Sequence, residues 1–161
     1  MSSEIYLRTN IKKTDAEDIA NIIAKTGVFI DEDVLLAKEV ADETIEKGSE
    51  AGYGFVFAEV DGKVVGYSCY GDIPTTENRY DLYWIAVLPE FQKQHIGSKI
   101  LKYTEEIIAS INGKHIYIET SSTSKFEKTR KFYIKNNYTE AVVLDDFFRD
   151  GDGKVIYVKK F

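Results

Sequence analysis

Over residues 82–101 the chain reads LYWIAVLPEFQKQHIGSKIL, and its hydrophobic period changes in the middle. An apolar run over residues 83–88 ends at Pro89, which has no N–H to give to a strand ladder. From Ile96 onward Ile100, Leu101, Thr104, Ile107, Ile108 and Ile111 recur at three- and four-residue spacing, which predicts a helix with one buried face. A short turn over residues 90–95 joins the two. The first N–H groups of a helix have no internal acceptors and its dipole places partial positive charge there, so this turn is an anion seat. Gly97 adds room, because a missing side chain lets a ligand approach the backbone.

The rest of the chain arranges itself on either side of this strand and helix. Residues 4–9 alternate as a first strand, and Thr14 with Glu17 forms a capping-box pattern that opens a helix to about Lys25, stopped by Gly27. Asp31, Glu32 and Asp33 put negative charge at the start of a second helix that runs to Gly48. Residues 53–60 and 63–70 flank Asp61-Gly62, the two-residue signal of a tight hairpin. Residues 79–88 continue the meander as a long strand.

After the helix from Ile96, Asn112-Gly113 closes it and residues 115–120 alternate as another strand; strand, helix, strand implies a right-handed crossover and a parallel neighbour. Ser124 and Glu127 form a second capping-box pattern before a helix to about Lys135, and Asn136-Asn137 suits a left-handed cap. Residues 138–146 and 154–160 close the chain as a hairpin. The order is β α α β β β α β α β β, an α/β fold whose mixed, largely antiparallel sheet is flanked by helices.

Size and charge narrow the function. With 161 residues, 43% of them hydrophobic, and no internal repeat or linker, the chain is expected to form a single domain over residues 1–161. A net charge of −6 lacks the basic footprint of a nucleic-acid binder and favours a cationic partner. No apolar run spans a bilayer and no secretory signal opens the sequence, so no membrane partner is expected. One cysteine, Cys69, excludes an internal disulfide and fits a reducing cytoplasm. Two histidines, His95 and His115, without clustered Cys or Glu, give a metal site little support.

Two segments resemble the GNAT family of N-acetyltransferases. IAVLPEFQKQHIG over residues 85–97 is similar to the family's strand and acyl-CoA loop, and TRKFYIKNNY over residues 129–138 to its later helix with an aromatic-Tyr pair. Gln92 and Gly97 stand in the loop pattern of the family, whereas His95 occupies the place of a glycine, a departure that matters if the backbone there needs φ > 0.

The resemblance implies acetyl-CoA as co-substrate, no metal, and an amine-bearing small molecule or peptide as acceptor. It implies a pyrophosphate seat at Gln92, Lys93, Gln94, His95, Ile96, Gly97 and Ser98, with Lys99, Lys125, Lys128 and Arg130 as further cations. It also implies a pantetheine arm laid along Ile85, Ala86 and Val87, with the Ile85 or Val87 N–H on the acyl oxygen. An acceptor amine with a pKa of about 10.4 must lose a proton to attack. Asp81, read as sharing a strand face with Tyr83, Ile85 and Val87, and Glu119 on the next strand are the candidate bases.

Tyr133, at the family's general-acid position and also within its co-substrate site, is the candidate proton donor to the leaving thiolate. A non-catalytic acyl-CoA-binding module on the same fold and a purely structural interaction domain stay open beside the enzyme. Phe147, Phe148 and Phe161 on the closing hairpin offer a surface to a second copy of the chain.

Overall fold

The computed structural model describes residues 4–161. Its elements run β1 (Ile5–Arg8), α1 (Asp15–Thr26), α2 (Asp31–Lys47), β2 (Gly54–Val60), β3 (Lys63–Asp72), β4 (Arg79–Val87), α3 (Ile96–Ser110), β5 (His115–Ser121), α4 (Glu127–Lys135), β6 (Thr139–Arg149) and β7 (Asp152–Lys160). The order is the one the hydrophobic periods imply. One seven-stranded sheet has the order β1-β2-β3-β4-β5-β7-β6, with β4 and β5 parallel and every other pair antiparallel.

Helix α1 packs on β3 and β4, α2 lies against α1, and α3 covers β2 to β4 from the other side. Alternation along β3 divides the two faces. Ser68 hydrogen-bonds Thr104 of α3 at 2.7 Å, while Tyr67 stacks with Phe55 and Phe57 beneath α1. Ile19, Ile22, Ile23, Phe57 and Val65 are fully buried there. A second core, with Leu82, Ile116, Ile118, Tyr133 and Tyr157, lies under α3 and α4.

Neither capping box forms. Thr14 already has helical backbone angles, which turn its hydroxyl away from the N–H groups it would cap. The neighbouring Asp15 carboxylate anchors the helix instead, accepting from Arg8 Nη1 and Nη2 at 2.8 and 2.7 Å and from the Lys12 N–H at 2.7 Å. Arg8 also pairs with Glu59 and lies 4.5 Å from the Phe57 ring centroid, so one buried guanidinium ties β1, β2 and α1 together. Ser124 opens a 3₁₀ turn, which leaves Glu127 as the first residue of α4 rather than its third.

The left-handed cap at the end of α4 does form. Asn137 has φ 71°, with Tyr138 N donating to Tyr133 O and Asn137 N to Ile134 O at 3.0 Å each.

Candidate active site

The parallel ladder between β4 and β5 runs from the Arg79–His115 pair to Leu82–Ile118 and stops. Beyond it β4 stays paired to β3 as far as Val87, and β5 to β7 as far as Ser121, so the strands separate into a gap. Leu88 N donates to Val65 O on β3 at 2.8 Å. By alternation the Val87 and Ile85 N–H groups point the other way, into the gap. Val87 O on that side accepts from Gln92 Nε2 at 3.1 Å, which fastens the following loop to the strand end.

That loop is built from residues held in an uncommon conformation. Lys93 and His95 have φ 68° and 62°, in the left-handed region where a side chain is strained. The place taken by glycine in the resembling pattern is thus one that needs φ > 0, and a histidine fills it. His95 makes no side-chain cap, and the first intrahelical bond is Lys99 N to His95 O at 3.0 Å. The N–H groups of Ile96, Gly97 and Ser98 therefore have no acceptor within the helix and converge at its positive end. A Cβ on Gly97 would meet the Phe132 ring at 3.4 Å, an ordinary contact, so packing alone does not demand glycine there.

Among the candidate phosphate cations, Lys93, Lys99, Lys125 and Lys128 are in no ion pair among the described residues. Arg130 is engaged otherwise: its Nη1 donates to Ser121 O and Thr123 O at 2.7 and 2.8 Å, clamping the turn after β5.

The expected face of Asp81 needs correction. Trp84 lies opposite Cys69 and Leu82 opposite Tyr70, so Tyr83 is an extra residue, a β-bulge in β4. The bulge reverses the alternation. Asp81 keeps a common face with Tyr83, whose ring approaches Gly71 opposite Asp81, but Ile85 and Val87 turn to the α3 side.

On its own face Asp81 stands beside Tyr117, its partner in the β4–β5 ladder, and Glu119 follows Tyr117 by one alternation. With Arg79, Glu77 and Ile156 they line a cleft of about 520 Å³. Burial and the neighbouring Glu119 charge push the Asp81 carboxyl up to about 6, against the opposing pull of Lys154. Burial, with the Asp81 charge next, likewise pushes the Tyr83 phenol up to about 12. Glu119 is paired to Lys154 at 3.1 Å.

Tyr133 lies on the other side of the sheet, buried among Phe132, Tyr138 and Tyr157 with ring centroids 5.5, 5.9 and 5.8 Å away. Burial pushes its phenol up, so it carries its proton at neutral pH. The adjacent Phe132 ring stands where a Cβ on Gly97 would touch it, which brings α4 up to the loop. Cys69 and Tyr67 are core residues; burial pushes the Cys69 thiol up, which makes it a poor nucleophile.

Sequence reasoning passed over Lys154 and Tyr117. Only the strand register, which sets Tyr117 opposite Asp81 and Ile156 opposite Glu119, places Tyr117 in the cleft wall, and Lys154 joins it through its ion pair to Glu119. No group of three or more His, Cys, Asp or Glu residues able to hold a metal ion occurs among the described residues. No helix among them is long and apolar enough to cross a membrane.

Known proteins resemble this chain in sequence and fold. The chain is 27% identical over 118 residues to an N-alpha-acetyltransferase of Sulfolobus acidocaldarius, covering 67% of this chain and 69% of that one. A crystal structure from Desulfovibrio desulfuricans, described as a GNAT-family acetyltransferase, is 36% identical, with a TM-score of 0.95 over 98% of this chain and 99% of that one. The PaiA N-acetyltransferase of Thermoplasma acidophilum, solved in complex with coenzyme A, has a TM-score of 0.75 at 19% identity, over 98% and 99% of the two chains. Residues 18–138 match the acetyltransferase (GNAT) family, and the chain belongs to it.

Proposed function

We propose that the protein moves an acetyl group from acetyl-CoA to a primary amine by direct attack in a ternary complex, with no covalent enzyme intermediate. The observation that carries this reading is the gap between β4 and β5, with the Ile85 and Val87 N–H groups aimed into it beside a helix start whose donors are free. Acetyl-CoA supplies the thioester, with its acetyl group and thiolate leaving group.

The chain's own residues divide the work. The N–H groups of Ile96, Gly97 and Ser98 hold the pyrophosphate, while Gln92 fixes the loop to Val87 and the left-handed Lys93 and His95, with Gln94 between them, turn the backbone toward it. The strand at Ile85, Ala86 and Val87 aligns the pantetheine amides as a neighbouring strand would, and one of the two inward N–H groups steadies the acyl oxygen as it gains charge. Asp81 takes the proton that the amine loses as its C–N bond forms. Tyr133 gives a proton to the sulfur as the C–S bond breaks, and solvent restores it.

Support for these roles comes from their placement. Asp81 and Tyr133 lie on opposite faces of the sheet, so the amine enters from one side and the thiolate is quenched from the other. Glu119 is the second carboxylate of the cleft, and its ion pair to Lys154 favours Asp81 as base. The acceptor is an amine-bearing small molecule or peptide, drawn by the negative cleft. The exposed Phe147, Phe148 and Phe161 are the surface offered to a second copy of the chain, which sedimentation velocity reads directly.

The test is free-thiol release with acetyl-CoA and a panel of amines. Acceptor-dependent release is expected, and Tyr133→Phe should lower kcat by about 10² or more while leaving acetyl-CoA affinity nearly unchanged. Binding of acetyl-CoA without acceptor-dependent release would favour the non-catalytic module, the reading to which the strained His95 lends weight.

A further inference from the structure

Lys154 sits where three elements meet. It lies on β7 opposite Ser121 of β5 and Leu144 of β6, and its side chain is 13% exposed. Its ammonium pairs with Glu119 at 3.1 Å on one side. On the other side the Phe147 ring centroid is 3.8 Å away and that of Phe148 5.7 Å.

The aromatic side of this contact is a built feature of β6. Leu144 pairs with Lys154 and Arg149 with Asp152, so residues 145–148 bulge out opposite Gly153. Asp146, at φ 55°, accepts from the Gly151 N–H at 2.7 Å and closes the bulge. A side chain at Gly153 would come within 2.9 Å of the Leu144 carbonyl, so the bulge needs that glycine. Phe147 is thereby set against the Lys154 ammonium, where the ring face attracts a partly desolvated cation.

Two carboxylates in one cleft compete for protons unless one of them is neutralised. Here Glu119 has a cation, and the Asp81 carboxylate makes no hydrogen bond or ion pair among the described residues. We infer that Lys154 is a positioning residue of the cleft: by holding Glu119 of β5 to an ammonium on β7 that rests against the β6 bulge, it leaves Asp81 as the carboxylate that takes a proton. This inference rests on the proposed acetyl transfer for its catalytic meaning, but its physical content is the coupling of Lys154, Glu119 and Asp81.

The charged or titratable groups around Asp81 are Arg79 and Tyr83 on its own strand, Glu77 in the preceding loop, Tyr117 and Glu119 on β5, and Lys154 on β7. His115, whose Nδ1 lies 3.0 Å from the Tyr117 hydroxyl, stands one alternation further along β5. Of these, Glu119 raises the proton affinity of Asp81 and Lys154 lowers it. Removing the lysine leaves Asp81 facing an unneutralised Glu119, and both changes act in the same direction.

The experiment is an NMR titration of the Asp81 side-chain carboxyl carbon in the full chain. The midpoint should rise by about half a pH unit or more in Lys154→Met, return toward wild type in Lys154→Arg, and fall in Glu119→Gln. In the Lys154→Met/Glu119→Gln double variant the rise caused by losing the lysine should shrink, because its partner is gone. An unchanged midpoint in Lys154→Met overturns the inference. Should that variant fail to fold, an unchanged midpoint in Glu119→Gln does so.

Because the titration needs no turnover, it separates this inference from the proposed reaction. If the midpoints move as expected while Asp81→Asn leaves thiol release intact, the coupling stands and Asp81 is not the base. If Asp81 is the base, the acid limb of kcat/KM moves upward in Lys154→Met together with the NMR midpoint.

Discussion

Strand β3 is buried at every position from 64 to 69, whereas β6 is exposed at all eleven of its residues. The contrast extends to the parts of the sheet they belong to. Strands β2 to β4 carry α1 on one face and α3 on the other. Strands β5 and β7 are covered on the face where Tyr133 and Tyr157 pack, whereas β6 is exposed on both, and the other face presents Glu119, Val142, Leu144 and Phe147.

The first part is a platform whose rigidity comes from close packing; the second is half a layer, open on the side where the proposed acceptor would enter. The candidate site lies on their seam. There the strand backbone is held from one side only and the carboxylates are only partly withdrawn from water.

Four substitutions probe this division, in decreasing order of effect. Ile22→Ala, in the closed part, should destabilise by about 2–5 kcal/mol in urea unfolding, the range for deleting a fully buried branched side chain. A loss under about 1 kcal/mol would mean that the closed part is not the stable platform.

Asp81→Asn acts at the seam and its sign depends on pH. The folded carboxyl titrates near 6 and the unfolded one near about 3.9, so the stability contributed by its protonated form is present at low pH and lost as pH rises through the folded value. The variant should therefore be more stable than wild type by about 1 kcal/mol at about pH 8, after discounting for solvent screening, and equal to it at about pH 4. Thermal melts at the two pH values check this; a gain at both would assign the effect to something other than ionisation.

His95→Gly should relieve a left-handed side chain and stabilise by about 1 kcal/mol. Calorimetry with coenzyme A gives its second readout: tighter binding means that the histidine strains the seat, weaker binding that its ring makes a contact. Val142→Ala, on the open face, should change stability by less than about 0.5 kcal/mol. A larger loss, dependent on protein concentration, would show that the face is covered by a second copy.

Local chemistry made the element order legible. Asp61-Gly62 marks its hairpin, Asn137 takes the left-handed cap, and the change of period at Pro89 marks the passage from β4 to α3. Signals that depend on competition between groups misled. Thr14 and Ser124 have capping partners in sequence, but the Asp15 carboxylate is claimed by Arg8 across the fold, and Ser124 is drawn into a 3₁₀ turn.

The site divides in the same way. The loop from Gln92 to Ser98 is contiguous and can be read directly, including the strain at His95. The face of Asp81 depends on one extra residue, Tyr83, that no strand period discloses, and the meeting of Asp81, Glu119 and Lys154 depends on registers between three strands.

The ladder that stops at Leu82 and Ile118 bears on the lifetime of the protein as well as on its chemistry. A guest that lays its own amides along the gap would supply the missing rungs and make the molecule open as one cooperative unit, by mass action on the folded state. Deprived of that guest, the β5–β7–β6 part would be first to loosen, offering its long outer strand to proteases. If acetyl-CoA is that guest, as proposed, its supply would govern how quickly the protein is cleared.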